Sequence, residues 1–406
     1  MPPRARLRVR IVTVVLTAVA LVPGVVSCTG PPQPDSSAPD PSAGARAEEL
    51  RLLQPRAVHR AVPLTDGSVL VLGGCTTPGC GGFEAGRRTE LFRPGRGFVA
   101  GPAMALGRAG GTATRLLDGR VLVTGGHLGE GAGPTGSVEI FDPAAGRFTV
   151  SGDLEVARAD HSASLLADGR VLLAGGFDAT GAALASTEVF DPTTGTLRAG
   201  PALSSPRAAH VGVVLGDTVL LVGGTRGSRA LDSTEVLRGG AWGPGPELGT
   251  PRVKMGVAAL DDVRALVVGG ARTTEGRRRL ATTEIVDLTE PRALAGPSMS
   301  AGEFKLDGAM TSLADGRVVI ASGSALEVFD PDDTTMTRTD VDLPGGRSFR
   351  TVTALTDGSV LVAGGYDEQI RPSDAARVVR IPARAPRSTA PGSTAPRSSA
   401  PRAATR

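Results

Sequence analysis

Aromatic residues make up only 3% of the 406 residues, with a single tryptophan, Trp242, and a single tyrosine, Tyr366. That is sparse for an enzyme that binds sugars by ring stacking. Lysine occurs only twice, at Lys254 and Lys305, so the positive charge is almost entirely arginine. We read that scarcity as a codon-composition habit and not as a binding signal. The most apolar stretch, residues 11–22, has twelve residues, too few to cross a bilayer comfortably as a permanent helix. No Walker-type phosphate loop, His-Glu-x-x-His pair or EF-hand pattern occurs anywhere in the chain, which removes the nucleotide, zinc-protease and calcium-loop readings that depend on those spacings.

What is abundant is glycine, 56 residues, and proline, 31, against 40% apolar residues. This balance suits a turn-rich β protein that still buries a core. The N-terminus carries Arg4, Arg6, Arg8 and Arg10, then the apolar run, then "VVSC" ending at Cys28. A basic start, a short apolar segment and a small-residue processing site describe an export signal. Val25, Val26, Ser27 and Cys28 resemble a bacterial lipobox, which implies cleavage after residue 27, lipidation of Cys28 and a lipid anchor on the extracytoplasmic face of the cell membrane. No twin-arginine pair precedes the run, so export of the unfolded chain is expected.

Removal of residues 1–27 takes away four arginines and no acid, lowering the formal charge from +3 to −1. Five more arginines lie after Ala383, so the remaining body is near −6. With no basic stripe across that body, nucleic-acid binding loses its support. Residues 28–45 hold the anchor cysteine and a Pro-rich spacer, extended at ~3.1 Å per residue and so ~50 Å long at most. Residues 384–406, with "PRSTAPGSTAPRSSAPR", have the low-complexity composition of a disordered tail. A folded domain is expected over residues 46–383.

Within it a motif recurs. "VLVLGG" ends at Gly74, "VLVTGG" at Gly126, "VLLAGG" at Gly176, "VLLVGG" at Gly224, "ALVVGG" at Gly270, "VVIASG" at Gly323 and "VLVAGG" at Gly365. Each apolar run follows an Asp-Gly or similar turn, where positive φ at both residues of a primed hairpin is expected. A third strand follows, as in "STEVFDP" ending at Pro192, stopped by Asp-Pro chemistry. A short fourth segment carries a bulky residue such as Phe98, Phe148, Leu197, Trp242 or Met336. Four antiparallel strands in each of seven units predict an all-β, seven-bladed β-propeller. The last unit runs out after its third strand, and residues 47–59 align with a fourth strand and the start of a first. The N-terminal segment is therefore expected to close the ring, leaving no free edge.

The order of Asp-Gly turn, apolar run, Gly-Gly, third-strand aromatic and later bulky residue resembles the kelch repeat and the related blades of galactose oxidase-type proteins. The resemblance spans residues 46–383, with Phe, Leu or Val at the usual third-strand tyrosine position and only Trp242 at the fourth-strand tryptophan position. Galactose oxidase-type copper chemistry would need two tyrosines, one of them cross-linked to cysteine, and one tyrosine closes that route. Kelch domains that receive acidic peptides imply such a ligand as one possibility here.

Counting eight residues back from the Leu before each hairpin gives Arg56, Arg108, Arg158, Arg207, Arg252, Lys305 and Arg347. Seven of seven are basic. One reading is a cationic ring at the channel mouth, suited to a carboxylate or phosphate. The other is structural, because six third strands carry Glu90, Glu139, Glu188, Glu235, Glu284 and Glu327 at one fixed place. Even spacing also puts the basic residue on the face of a buried Leu. His59, His161 and His210 lie three residues after the basic position in three units. They are hydrogen-bonding groups of the repeat or, in the sharper reading, ligand contacts; no metal or other cofactor is expected. Asp160, His161 and Ser162 are adjacent and so cannot face one another as a triad. Cys75 and Cys80 bracket four residues, and in an exported chain they are expected to form a local disulfide.

Together these observations describe a membrane-anchored, extracytoplasmic binding or scaffold module, expected to be monomeric. Its partner would be an envelope protein, an acidic peptide or a saccharide. The enzyme alternative is a hydrolase, lyase or epimerase acting on cell-surface saccharides; it requires a tight cluster of acid, base and basic residues from several blades, and convergence of His161, His210 and a carboxylate at the channel mouth would favour it.

Overall fold

The computed structural model describes residues 46–81, 84–129, 131–343 and 348–384. The leader, Cys28, the spacer and the tail beyond Arg384 lie outside the described residues. The second strand of every unit is where the fold is decided. Val69–Leu72, Val121–Thr124 and Val171–Ala174 are buried at every position, so both faces of the strand must be covered. Alternate residues do this by serving different neighbours. Leu70 and Leu72 pack with Val121, Val123 and Phe141 of the next unit. Val69 and Val71 pack with Leu361 and Ala363 of the last. At ~1.5–3 kcal/mol for each fully buried aliphatic side chain, these inter-unit seams are the main stabilising term.

Seven four-stranded antiparallel sheets result, with no α-helix among the described residues. Their first strands are Arg60–Pro63, Thr112–Arg115, Ser162–Leu165, Val211–Leu215, Gly256–Ala259, Met310–Ser312 and Thr351–Ala354. Each touches the first strands of both neighbouring sheets, and the last touches the first, so the seven form a closed inner ring. This is the seven-bladed propeller expected from the repeat. The strand Arg46–Arg56 pairs antiparallel with Ser373–Arg380 in the register Arg46 to Arg380 through Arg51 to Ala375. It supplies the fourth strand of blade seven, with Leu52 buried in the seam between blades seven and one.

The Asp-Gly hairpins differ from expectation in one respect. Only the glycine takes positive φ, at 81° for Gly67, 88° for Gly119 and 85° for Gly169. The Leu64 N–H donates to the Ser68 carbonyl and the Gly67 N–H to the Leu64 carbonyl. These are therefore three-residue loops, a type I turn followed by a left-handed glycine, and not primed two-residue turns. The aspartate acts as an acceptor instead. Asp66 Oδ1 takes the Ser68 N–H and hydroxyl, and Asp118 takes the Arg120 N–H and Nε–H.

Candidate functional site

The Gly-Gly ends of the second strands and the connections that enter each first strand lie together. Five of the seven basic residues named from the sequence sit there, and they do not line the channel. Arg56, Arg108, Arg158, Arg207 and Arg252 are 0–2% exposed. Arg158 Nη2 donates to Glu188 Oε1 at 2.8 Å and Nη1 donates to the Gly175 carbonyl at 2.8 Å. The same pair of bonds joins Arg56 to Glu90 and Gly73, Arg108 to Glu139 and Gly125, Arg207 to Glu235 and Gly223, and Arg252 to Glu284 and Gly269. The glutamate also accepts a backbone N–H from the incoming connection, from Leu53, Ala105, Glu155, Ser204 and Gly249 in turn. Each clamp thus fixes a chain entry to its own blade. Burial pulls the guanidinium pKa values down and the glutamate pushes them back. Removing either partner would leave a buried charge, a loss of roughly 3–5 kcal/mol. The expected cationic ring is thereby corrected for these five residues: the geometry is that of structural pairing, with no guanidinium face left for a ligand. Arg347 lies outside the described residues.

Lys305 requires a second correction. In blades one to four and seven the N–H of the second glycine donates to the carbonyl of the clamp arginine in the following blade, as Gly126 does to Arg158 and Gly224 to Arg252. Gly270 donates instead to Glu303. Glu303 therefore occupies the clamp position of blade six, and Lys305 lies two residues further on. Backbone conformation agrees. The residue two after each clamp position is left-handed: Val58, Gly110, Asp160, Ala209, Lys254, Lys305 and Phe349, with φ between 50° and 66°. The loop from Glu303 to its hairpin is two residues longer than in the other blades, so counting back from Leu313 missed the true equivalence. The left-handed residue also interrupts the strand between each clamp position and the hairpin.

His59, His161 and His210 follow directly after these left-handed residues and hold one blade to the preceding one. His59 Nε2 pairs with Thr351 Oγ1 at 3.0 Å, His161 Nε2 with Thr124 Oγ1 at 3.0 Å, and His210 Nε2 with Ser162 Oγ at 3.0 Å. Burial, helped by the neighbouring arginine, pushes His59 and His210 down to about 3 and His161 well below its usual value. All three are neutral at physiological pH. His161 and His210 border a channel cavity of ≈150 Å³, together with Arg60, Thr112 and Asp307. Arg60 reaches across that channel to Asp307 at 2.6 Å. Among the described residues no carboxylate hydrogen-bonds to His161 or His210, so the convergence that would favour the saccharide-enzyme alternative is not among the described contacts.

The left-handed ring is the feature that the repeat pattern left unread. Its members are stitched by backbone bonds, Asp160 N–H to Gly110, Ala209 N–H to Asp160 and Lys254 N–H to Ala209. A Cβ at Gly110 would lie 2.6 Å from Asp160 Oδ1, so a side chain there would displace that carboxylate. The two lysines of the chain occupy adjacent members of this ring, in blades five and six. Lys305 Nζ lies 4.7 Å from the Phe304 ring centroid, 5.4 Å from Phe349 and 4.9 Å from Tyr366, and it hydrogen-bonds to the Tyr366 hydroxyl. Lys254 Nζ lies 5.9 Å from the Phe349 centroid, and the Arg279 guanidinium 4.7 Å from that of Phe304. No described carboxylate forms an ion pair with Lys254, Lys305 or Arg279. Desolvation, with Lys254 and Arg279 nearby, lowers Lys305 to about 8, and burial raises Tyr366 to about 12. Glu303, beside this cluster, is raised by its own burial against the opposing pull of Arg279 and Arg350. The scarcity of lysine and aromatics was the available signal. It became informative only once the ring brought these residues together.

Cys75 and Cys80 are disulfide-bonded, as expected, on the same side of the ring, where Cys75 bridges Ala57 next to Val58. Cys28 lies outside the described residues. No described group of three His, Cys, Asp or Glu side chains could hold a metal ion.

No protein-family model matches the chain, and no curated protein does. Among solved structures the chain is similar to a fungal alcohol oxidase with catalytic diversity among the AA5 family, in complex with copper. The two share 16% identity at a TM-score of 0.65, over 84% of this chain and 77% of that one. At such identity the likeness is one of fold.

Proposed function

We propose that the chain is a lipid-anchored, extracytoplasmic, kelch-like propeller that binds an anionic envelope ligand at the loop-bearing mouth of its channel. The observation that carries this reading is the set of three cations, Lys254, Lys305 and Arg279, facing aromatic rings with no described carboxylate paired to them. Asp160 lies near Lys254 and Glu303 near Arg279, but neither forms an ion pair with them, so the three cations keep a surplus of positive charge that a bound carboxylate relieves. The lipobox-like residues ending at Cys28 favour export and anchoring, and the Cys75–Cys80 disulfide suits an oxidising compartment. Acidic peptides and carboxylated saccharides both offer the required group.

The test is calorimetric titration of the full chain in detergent with polyglutamate and with polygalacturonate. Binding of at least one is expected, weakened roughly tenfold or more in K254Q/K305Q, since hydrogen bonds to charged groups contribute ~1.5–3 kcal/mol each. Equal binding by the variant would refute the site. Absence of palmitate incorporation at Cys28 would refute the anchor.

A further inference from the structure

Why a chain that uses arginine almost everywhere keeps lysine at only two places, side by side on one ring, is a chemical question. Arginine supplies positive charge, aromatic stacking and bidentate carboxylate contacts at least as well as lysine does. What lysine alone supplies is an amine able to lose its proton and act as a nucleophile. We propose that Lys305 is an imine-forming amine, for a small aldehyde or ketone that also carries a carboxylate, of the 2-oxo acid class. This rests on the anionic-ligand reading of the mouth and deepens it.

The geometry places the parts. Lys305 Nζ is half-buried among Phe304, Phe349 and Tyr366, where loss of its charge is favoured by desolvation. Lys254 and Arg279 are near enough to disfavour its protonation; they feel Asp160 and Glu303 respectively but form no ion pair with them, and so can take the ligand carboxylate. The other charged groups near it are Glu303, which faces Arg279 and Arg350, and Asp307, which is bound to Arg60. With its pKa at about 8, Lys305 holds a few hundred times more free amine near neutrality than an ordinary lysine, by about the factor its lowered pKa sets. Tyr366, raised to about 12, keeps its proton at any working pH and so remains a donor.

The step balances without an oxidant or reductant. The Lys305 lone pair forms a bond to the carbonyl carbon as the C=O π pair moves onto oxygen. That oxygen takes the Tyr366 proton, and the phenolate recovers one from the newly cationic nitrogen. Loss of water breaks the C–O bond and leaves C=N, so amine and carbonyl give imine and water.

The experiment incubates the full chain with glyoxylate or pyruvate and sodium cyanoborohydride, then maps reduced adducts by peptide mass spectrometry. Lys254, the other lysine, is the internal comparison. The expected result is one adduct on Lys305, about tenfold weaker with propanal, which lacks the carboxylate contact. Labelling should rise as pH passes through about 8, as the amine is freed. It should vanish in K305R, whose cage keeps its cation and its unfolding midpoint, and it should slow in Y366F. No adduct on Lys305, or equal labelling of Lys254 and Lys305, overturns the inference. Lactate, a carboxylate without a carbonyl, separates the two readings: if it binds while no adduct forms, the imine fails and the anion site stands. If neither lactate, glyoxylate nor polyglutamate binds, both fail.

Discussion

His161 shows how a single side chain can set the conditions under which the ring holds together. Its Nε2 is fixed between Thr124 and Thr112 of the preceding blade, and its ring edge abuts the backbone of Gly125. A protonated imidazole would need a second acceptor there, and its Nδ1 has none. Protonation therefore opposes folding. With His59 and His210 pushed down to about 3 and an unfolded imidazole near ~6.5, the unfolded chain binds the extra protons between those values. Stability is complete above the unfolded pKa and is lost as pH falls, by up to ~1.4 kcal/mol per pH unit for each histidine. Urea unfolding measured between pH 4 and 6 should show H161Q with a slope against pH shallower than that of the parent by about one proton. An unchanged slope would mean that His161 is not buried neutral.

At the scale of the element, the decisive piece is the strand Arg46–Arg56. It pairs with Ser373–Arg380 and brings Leu52 into the seam between the first and last blades. It also carries Arg56, the clamp to Glu90. A chain beginning at Ala57 would lose all three and expose the third strand of blade seven as a bare edge, which invites pairing with other chains. Light scattering and thermal denaturation should report multimers or loss of a cooperative transition. A monomer with an unchanged midpoint would show that closure is dispensable. This element was legible in the sequence because the opening residues match the fourth strand and first-strand start of other units. The second strands were legible too, since runs such as "VLLAGG" are too short for a helix and are bounded by an Asp-Gly turn and a Gly-Gly pair, which fits a fully covered strand. Hairpin geometry was not, because Asp-Gly serves both primed turns and three-residue loops, and only the hydrogen-bond register distinguishes them.

At the scale of the whole molecule, the ring converts small features of separate repeats into a shared site. Lys254 and Lys305 are 51 residues apart in sequence, yet both approach Phe349 of blade seven. No local pattern announces that convergence. Equivalence by counting misplaced Lys305 because blade six lengthens one loop by two residues, and it left the clamp arginines open to both a channel-facing and a structural reading, between which their burial against the third-strand glutamates decides. The architecture could be read from periodicity, which tolerates such slips. A site built from one residue per blade cannot tolerate them.

The most direct test of the mouth as the ligand site is hydrogen–deuterium exchange of the full chain with and without bound polyglutamate. Protection is expected in peptides spanning residues 252–256, 278–281, 303–307 and 365–367, where Lys254, Arg279, Lys305 and Tyr366 reside. Protection confined instead to the Asp-Gly turns on the opposite side, around residues 66–68, 118–120 and 168–170, would contradict it.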